Sequence, residues 1–564
     1  MAKVKSREEK LYSSGAWKNY IDNVNIEKNL DDVLKEYEKE VVKPKITNIN
    51  ENLKNLSENE ISAIIEQWKK DCEEKNENFS LIDRRYNKSY SFFEDEVEKI
   101  KIIEKNYKKH FRKLYEYRSK NEKFKQQLSN TKYFSSLCLK NFKGFSDNND
   151  DKYNSIDIKP ITLIYGPNSY GKSSILQSLL LFNQTLKEGE DYRYSCLIPV
   201  GNNINLGLFE DFLNKNAKEQ EISIKLTLPY NCYDIRDTKI AQLSFCYNFK
   251  QDNSDNTTLS KVSIYEKTID VTDTNKNENE EQLIYEFEIN NDGKYIPIPN
   301  KQNLDKYNLF GKKKIKCDSL IKTSFFKIGK ENQKNIFDRI EDILKSIVYV
   351  SSYRIPPKRF DDPKKNARKN VGKNGEYTAE ILGVDTDVRV YVNKWLDKIL
   401  GYTLTTKKRH KYGSSINLDD NTTEIKDLNV IDLGSGVAQV LPVITQAFKS
   451  RGDMILIEEP ETHLHPKAQA ELGSMFADAI QNTNNSFIIE THSENLLLRL
   501  ERKIRNGELS KDDVSIIYVD KNKRGSCCIP LILDEEGNIK NIQDIPDGFF
   551  DEGFNELFDI QGKV

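Results

Sequence analysis

The sequence of 564 residues lacks any apolar run near the roughly 18 residues of a membrane-spanning helix, so it predicts no membrane partner. The charged start, residues 1–10, is not followed by an apolar stretch, and no secretory signal is therefore predicted. The eight cysteines are scattered. Only Cys527 and Cys528 are close, and adjacent cysteines match no common zinc spacing. We therefore expect reduced thiols in a cytoplasmic protein.

The chain also lacks a charge excess of either sign. Its 87 Lys and Arg residues nearly balance 89 Asp and Glu residues, for a net charge of -2. This balance excludes a uniformly cationic surface for nucleic acid, so any DNA binding must come from local patches. What the chain does have is bulk, with 26 Phe and 28 Tyr. These aromatic residues can fill hydrophobic cores, which argues against a largely disordered chain.

Changes in apolar periodicity divide the chain. Residues 1–130 space apolar residues at three and four, which predicts a helical extension that is either a solvated appendage or a docking module. A region of short strands and helices follows in 131–564 and predicts an α/β domain. Within it, strand-like runs between Asn- and Asp-rich turns predict an antiparallel β insertion at 217–300. Residues 348–430 are expected to form loops and helices.

One motif predicts a phosphate site. Residues 166–173 fit G-x4-G-K-[ST], and they stand between a β-rich run, 161–165, and a helical pattern. The glycines let backbone N–H groups surround phosphates, and the helix N-terminus adds its positive dipole end. The lysine reaches the β- and γ-phosphates, and the serine hydroxyl holds Mg²⁺. The motif thus predicts ATP and Mg²⁺ as cofactors, with Ser173 at the metal and these residues at the nucleotide: Gly166, Asn168, Ser169, Gly171, Lys172, Ser173 and Ser174.

Two carboxylates close a second apolar run, Met454–Ile457. In a P-loop ATPase the first such acid contacts Mg²⁺ through its water shell, and the second polarises the attacking water. Glu458 is therefore predicted as the metal-side acid and Glu459 as the catalytic base. Acidic residues often close strands, so the assignment depends on the phosphate-binding loop.

A third apolar run, Phe487–Ile489, leads to His492. The spacing of His463, His465 and His492 leaves zinc as an alternative, although no cysteine or fourth ligand stands out. A histidine that contacts the γ-phosphate from a strand end accounts better for His492, which is predicted to be catalytic.

A Gly-Ser-Gly turn at 434–436 precedes an apolar helix. Such a turn presents N–H groups and the Ser435 hydroxyl at a helix N-terminus, and so offers a second anion site. Taken by itself, an ordinary capping turn explains the pattern equally well.

In this order, the four motifs resemble the ATP-binding-cassette (ABC) ATPases of the RecF, SMC and OLD type. More narrowly, they resemble bacterial stand-alone AAA-labelled ATPases often found with phage-defence genes. The resemblance covers about 134–560. It is carried by the opening strand, the phosphate-binding loop and its helix, the segment after that helix, and the acidic block, which are residues 139–145, 166–181, 205–211 and 458–466. Residues 353–359, 375–376 and 548–552 resemble one uncharacterised subfamily.

The resemblance implies an α/β fold, an ABC-type P-loop ATPase head over 131–564, with the β insertion and the helical extension added to it. It also implies a homodimer or higher oligomer. In that class, Ser435 and Gly436 of one copy cap the γ-phosphate held by the other, while Glu459 activates water. Catalysis is thus assigned to Glu459, His492 and Ser435.

The chain departs from that pattern at three places. Glu458 stands where SMC proteins usually have Asp, so the metal contact is expected to run through one more water. No glutamine stands out as the Q-loop residue, and Gln184 is the nearest candidate. The first 130 residues precede a strand that lies near the chain start in relatives.

Other functions fit the sequence less well. A transporter subunit would have a shorter separation between Lys172 and Glu459, a kinase would not need the turn at Ser435, and too few residues follow His492 for a fused nuclease. The expected function is ATP hydrolysis in DNA-related or anti-phage defence, and a nucleotide-gated scaffold with little turnover remains the alternative. Partners left open are an effector protein from a neighbouring gene, and DNA at the basic runs 312–316, 364–369 and 407–411, which solvated loops also explain.

Overall fold

The computed structural model describes residues 133–147, 154–188, 196–228, 239–270, 281–289, 295–298, 336–355, 358–359, 368–409 and 413–541. The predicted helices of 1–130, the basic run 312–316 and residues 548–552 lie outside the described residues. No helix among the described residues is long and apolar enough to cross a membrane.

A six-stranded sheet forms the centre of the described domain. Its strand order is β16-β15-β3-β14-β13-β9, and all neighbours are parallel except β16, which pairs antiparallel with β15. Four of the five parallel strands are short and mostly apolar, as expected when both faces of a sheet are covered, whereas β15 has nine residues and ends in Asp, Lys and Asn. The strands are β3 (Ile161–Tyr165), β9 (Val348–Val350), β13 (Met454–Glu458), β14 (Ser486–Glu490), β15 (Val514–Asn522) and β16 (Gly525–Leu531).

Each face of this sheet has its own hydrophobic core. In β13, Met454 and Leu456 join one core, whereas Ile455 and Ile457 join the other, because successive side chains of a strand point to opposite faces. The long helices cover both faces and bury apolar stripes. They are α1 (Lys172–Glu188), α3 (Ile336–Ser346), α5 (Thr386–Leu400), α6 (Ser435–Lys449), α7 (Pro466–Thr483) and α8 (Glu494–Arg505); the shorter α2 is Phe209–Phe212 and α4 is Thr378–Val384.

A second sheet packs on the core that contains α1. Its order is β2-β1-β4-β5-β6-β7-β8, and antiparallel pairing joins β1 to β2 and β4, β4 to β5, and β7 to β6 and β8. The predicted antiparallel strands of 217–300 are confirmed, and they continue a sheet that starts with β1. The strands are β1 (Ser136–Lys140), β2 (Ser155–Asp157), β4 (Ile222–Thr227), β5 (Lys239–Gln251), β6 (Thr257–Asp270), β7 (Gln282–Ile289) and β8 (Tyr295–Ile298).

The expectation of only loops and helices in 348–430 is wrong in part. The structure has a β-hairpin there, β10 (Tyr402–Arg409) with β11 (Gly413–Asp420), extended by the short β12 (Leu428–Asn429). The hairpin strands contain many Thr, Lys, Ser and Asp residues. Among the side chains of these strands that the structure describes, only Leu404, Ile416 and Leu418 are apolar and buried. Too few apolar residues alternate for the strand period to show in the sequence.

Candidate active site

The phosphate-binding loop connects β3 to α1 at the carboxyl edge of the central sheet. Gly166 has φ 137° and Gly171 has φ 114°, values that L side chains rarely adopt. A Cβ on Gly166 would lie 2.2 Å from the carbonyl oxygen of Val519, so the backbone leaves no space for one. Asn168 and Ser169 are exposed along the loop, and Ser174 is buried in the first turn of α1, where its N–H donates to the Gly171 carbonyl. The loop therefore has the open backbone that a phosphate group needs.

Lys172 lies buried at the start of α1. Its Nζ donates to the carbonyl oxygens of Gly166 and Pro167, at 2.8 and 3.0 Å. The ammonium group is therefore hydrogen-bonded to the start of its own loop. Burial lowers the pKa of Lys172, and the carboxylates of Glu490 and Glu459 oppose that shift. The ammonium group is thus held inside the loop with acidic groups nearby.

Ser173 contacts an acid that the sequence analysis did not select. Its hydroxyl donates to Oε1 of Glu490, the last residue of β14, at 3.0 Å. Glu490 is buried, and desolvation raises its pKa to about 7. Among the described residues its Oε2 has no hydrogen-bond partner. A buried, unpartnered carboxylate oxygen beside a serine hydroxyl is a suitable oxygen environment for Mg²⁺.

The two strand-ending acids Glu458 and Glu490 stand side by side. They are register partners in the parallel pair β13–β14. Glu458 Oε2 accepts hydrogen bonds from the N–H of Ser352 at 3.2 Å and from its hydroxyl at 3.3 Å. The structure thus attaches the Glu458 carboxylate to the segment after β9, and it brings Glu490 onto Ser173.

Glu459 begins the turn after β13 in a left-handed conformation, with φ 41°. Its N–H donates to the Glu490 carbonyl at 2.8 Å, and its carbonyl accepts from Arg354 Nη2 at 2.7 Å. The Thr462 hydroxyl lies 3.0 Å from the Glu459 carbonyl oxygen and 3.3 Å from Oε2. Contacts on both sides therefore hold the Glu459 backbone, and the Thr462 hydroxyl is a donor beside its carboxylate.

His492 follows β14 and is joined to the acidic block through Glu461. The His492 N–H donates to Glu461 Oε1 at 2.7 Å, and burial raises the pKa of Glu461. The pKa of His492 itself is lowered, first by desolvation and then by the charge of Lys172. A lowered pKa favours the neutral imidazole at pH 7, which can both donate and accept a hydrogen bond.

The histidines do not form a zinc site. In the described part of the chain, no three His, Cys, Asp or Glu side chains group closely enough to hold a metal ion. The zinc alternative for His463, His465 and His492 is therefore not supported, and His465 instead caps helix α7, where its Nδ1 accepts from the Lys467 N–H.

Ser435 and Gly436 form the first turn of α6. Gly434 and Ser435 are exposed. A Cβ on Gly436 would lie 2.9 Å from the His463 carbonyl oxygen, which places this turn directly against the segment after β13. The Q-loop candidate Gln184 is buried. Its side chain donates to the Ile198 carbonyl and accepts from the Ile204 N–H, so it is hydrogen-bonded to the segment 198–204.

The structure gathers most of the predicted site residues at one sheet edge. Glu458 ends a parallel strand, and the phosphate-binding loop, Glu459 and His492 follow such strands, so all lie at the carboxyl ends, where open α/β sheets bind ligands. Sequence reasoning missed Glu490 and Arg354 as members of the site. An acid that ends an apolar run two positions before His492 was the available signal for Glu490.

A family model described as AAA ATPase domain matches residues 133–497, which is more than half of the chain. The chain belongs to this ATPase family. A second model, described as a protein of unknown function, matches residues 509–560. The predicted α/β fold of an ABC-type P-loop ATPase and the resemblance to the RecF, SMC and OLD group are thereby confirmed.

One curated relative is Endonuclease GajA from Bacillus cereus (strain HuB5-5), with 22% identity over 427 residues. The match covers 66% of this ATPase and 59% of GajA, so the chain spans less than two thirds of that relative. Similar solved structures include the SMC head bound to the C-winged helix domain of ScpA and the SMC head domain from Thermotoga maritima. The first is 13% identical, with a TM-score of 0.33, and the match covers 72% of this chain and 98% of that structure's chain. The second is 11% identical, with a TM-score of 0.30, and the match covers 71% of this chain and 99% of that structure's chain. TM-scores this low leave the fold assignment to the family match and the sheet topology.

Proposed function

We propose that this ATPase binds and hydrolyses ATP at composite sites formed by two copies of the chain. The observation that carries the proposal is the convergence of Lys172, Ser173, Glu459 and His492 at the carboxyl edge of one parallel sheet. A nucleotide-gated scaffold would need the loop, but it would not need an acid fixed as Glu459 is.

ATP binding would start at the loop. The triphosphate accepts hydrogen bonds from the backbone N–H groups of 166–173, and the N-terminus of α1 adds its dipole. Lys172 already lies inside the loop, where it donates to two loop carbonyls, and it would exchange those acceptors for phosphate oxygens. The gain is a charge-assisted contact in a partly desolvated place.

Mg²⁺ would be held by the Ser173 hydroxyl, with Glu458 and Glu490 acting through metal-bound water. When bound, Mg²⁺ would supply positive charge that offsets the negative charge of the phosphates. The Ser173–Glu490 hydrogen bond holds the hydroxyl oxygen beside the unpartnered Oε2 of Glu490. The buried Glu490 and the half-buried Glu458 therefore give the loop acidic oxygens for a divalent cation.

Hydrolysis would use Glu459 as the general base. The oxygen of a water forms a bond to the γ-phosphorus, the bond from that phosphorus to the β,γ-bridging oxygen breaks, and ADP leaves with that electron pair. The proton of the water passes to the Glu459 carboxylate and then to solvent. His492, neutral at pH 7, would donate a hydrogen bond to a γ-phosphate oxygen as charge develops there.

The second copy would supply Ser435. This residue lies exposed at a helix N-terminus, so its hydroxyl and the N–H groups of the turn are available to a phosphate on another molecule. Two such contacts related by a two-fold axis would close two identical sites. The isologous arrangement explains why Ser435 can serve a nucleotide bound elsewhere.

The output would be DNA-related or anti-phage defence through an effector protein encoded by a neighbouring gene. The similarity to a protein named as an endonuclease and the resemblance to phage-defence ATPases support this assignment. Direct DNA binding has less support, because Lys407 of one basic run already pairs with Asp427.

The function is tested by phosphate release and nucleotide binding in wild type and Glu459→Gln. Wild type should release phosphate from Mg·ATP. The variant should bind ATP within about twofold of wild type, because the loop is untouched, while turnover falls by about 100-fold or more. Turnover of the variant at the wild-type rate would remove Glu459 from the role of base, and tight ATP binding by wild type without turnover would favour the scaffold.

A further inference from the structure

Arg354 belongs to none of the motifs that bind nucleotide, yet it is the largest fully buried side chain of the described residues, 1% exposed. An arginine is rarely buried unless acceptors compensate the loss of water. Desolvation lowers its pKa to about 10, so the guanidinium keeps its charge at pH 7. The residue therefore sits as a permanent buried charge in the ATPase core.

Its contacts join two parts of the proposed site. Nη2 donates to the Glu459 carbonyl at 2.7 Å, and Nε donates to Oε1 of Gln439, in the second turn of α6, at 3.1 Å. Gln439 Nε2 returns a hydrogen bond to the Arg354 carbonyl at 3.0 Å. One side chain thus connects the residue proposed as base to the helix that begins at Ser435.

The Glu459 end of this bridge lies on strained backbone. A non-glycine residue in the left-handed region costs on the order of 1 kcal/mol and persists only where its surroundings hold it. The Glu490 carbonyl holds the N–H of Glu459, and Arg354 holds its carbonyl oxygen. Removing the guanidinium would free one side of that turn.

The Gln439 end of the bridge moves with α6, because Gln439 is part of that helix. Because the hydrogen bonds between Arg354 and Gln439 are reciprocal, a displacement of this helix would move the Arg354 backbone and guanidinium together. Among the described residues, Arg354 Nη1 has no hydrogen-bond partner. A buried charge with an unpaired N–H is costly for stability, which argues for a role in function.

We infer that Arg354 is a positioning residue that couples the placement of Glu459 to that of helix α6, and thereby couples the two nucleotide sites of a dimer. The inference rests on the proposed function. Ser435 at the start of α6 would engage the nucleotide of the partner, while Glu459 of the same chain would act on its own nucleotide. Engagement of one site would therefore set the base of the other.

The test uses three variants and compares ATP affinity, turnover, the Hill coefficient for ATP and thermal stability. Arg354→Lys keeps the charge and loses the planar fork, so it cannot make both contacts. Gln439→Met breaks the link to α6 and leaves the Arg354–Glu459 contact in place. Arg359→Lys is the matched control, because Arg359 comes from the same segment but makes an exposed pair with Asp432.

Wild type should hydrolyse ATP with a Hill coefficient above about 1. Arg354→Lys should keep ATP affinity within about twofold and lose about tenfold or more in turnover. Gln439→Met should keep most turnover and bring the Hill coefficient to about 1. Arg359→Lys should behave like wild type in all four measurements.

Three results would overturn the inference while leaving the proposed function in place. The first is that the wild-type protein hydrolyses ATP without cooperativity. The second is that Gln439→Met keeps the cooperativity of wild type, and this result can be read whether or not Arg354→Lys folds. A folded Arg354→Lys with wild-type turnover is the third. A fourth result, ATP binding by wild type without turnover, would overturn the proposed function and this inference together. It is distinguishable from the first three, because in those the wild-type protein still hydrolyses ATP.

Discussion

Ser173 and Glu490 are joined by a hydrogen bond of 3.0 Å, from the serine hydroxyl to Oε1 of the carboxyl group. The contact connects the phosphate-binding loop to the end of β14, and it places an acid opposite the hydroxyl that P-loop ATPases use for Mg²⁺. Glu458, the acid selected from the sequence, bonds instead to Ser352. Glu490 is therefore bonded to the phosphate-binding loop, and Glu458 is bonded to the segment after β9.

Glu490→Gln should weaken the Mg²⁺ dependence of ATP binding. The amide preserves an acceptor for Ser173 and removes the negative charge, so ATP affinity without Mg²⁺ should stay within about threefold, while the gain on adding Mg²⁺ should fall by about tenfold. Titration of a fluorescent ATP analogue with and without Mg²⁺ measures both values.

Glu501→Gln is the matched control for that experiment. Burial also raises the pKa of Glu501 to about 7. This residue lies on α8, whereas the phosphate-binding loop leads into α1. It should bind Mg·ATP as wild type does. An equal Mg²⁺ gain in Glu490→Gln and wild type would exclude Glu490 from the metal side.

Glu490 should also make stability depend on pH. Its pKa is about 7 in the folded protein, against 4.5 for a glutamate side chain in water, so the folded state binds the proton more tightly. The stability from this group is complete below about pH 4.5 and is lost as the pH rises through about 7. Glu490→Gln should therefore exceed wild type by on the order of 2–3 kcal/mol at pH 8 and match it near pH 5. Denaturant unfolding at the two pH values measures the difference, and a constant difference would contradict the assignment.

Gly436→Ala should disturb the start of α6. The new Cβ would lie 2.9 Å from the backbone oxygen of His463, so the helix or the turn after β13 must shift. We expect about tenfold slower turnover with ATP affinity unchanged, since the loop at Lys172 is not involved. Phosphate release and ATP titration check this expectation.

Gly434→Ala provides the control, because a Cβ there meets no atom of the described residues within 4 Å and φ is −61°. It should retain wild-type turnover. Equal loss in both variants would mean that the turn needs flexibility at both glycines, and the close approach to His463 would then not be the cause.

Three of the five parallel strands and the site edge were predictable, and the reason is local. The runs 161–165, 454–458 and 486–490 are mostly apolar. A glycine follows the first and an acid ends each of the other two, so they identify buried strands that stop at a glycine or an acid. The β10–β11 hairpin was not predictable in this way, because Thr, Lys and Ser dominate its strands and its apolar alternation is sparse.

Glu490 and Arg354 needed the structure for a different reason. Glu490 becomes a neighbour of Ser173 only because β14 lies between β3 and β13, and strand order is a property of the whole sheet. Arg354 reaches Glu459 and Gln439 across more than 80 residues of chain. Pairing over such separations leaves no periodic signal in the sequence.

The most direct measurement of the central claim is ATP turnover in mixtures of Ser435→Arg and Lys172→Ala. Each variant alone should be inactive, the first with ATP binding intact and the second without it. A mixed dimer has one complete site, with the loop of one variant and Ser435 of the other, so equal mixing should restore up to about a quarter of wild-type turnover. No recovery at any mixing ratio, with mixed dimers shown to form, would contradict composite sites and place each site within a single chain.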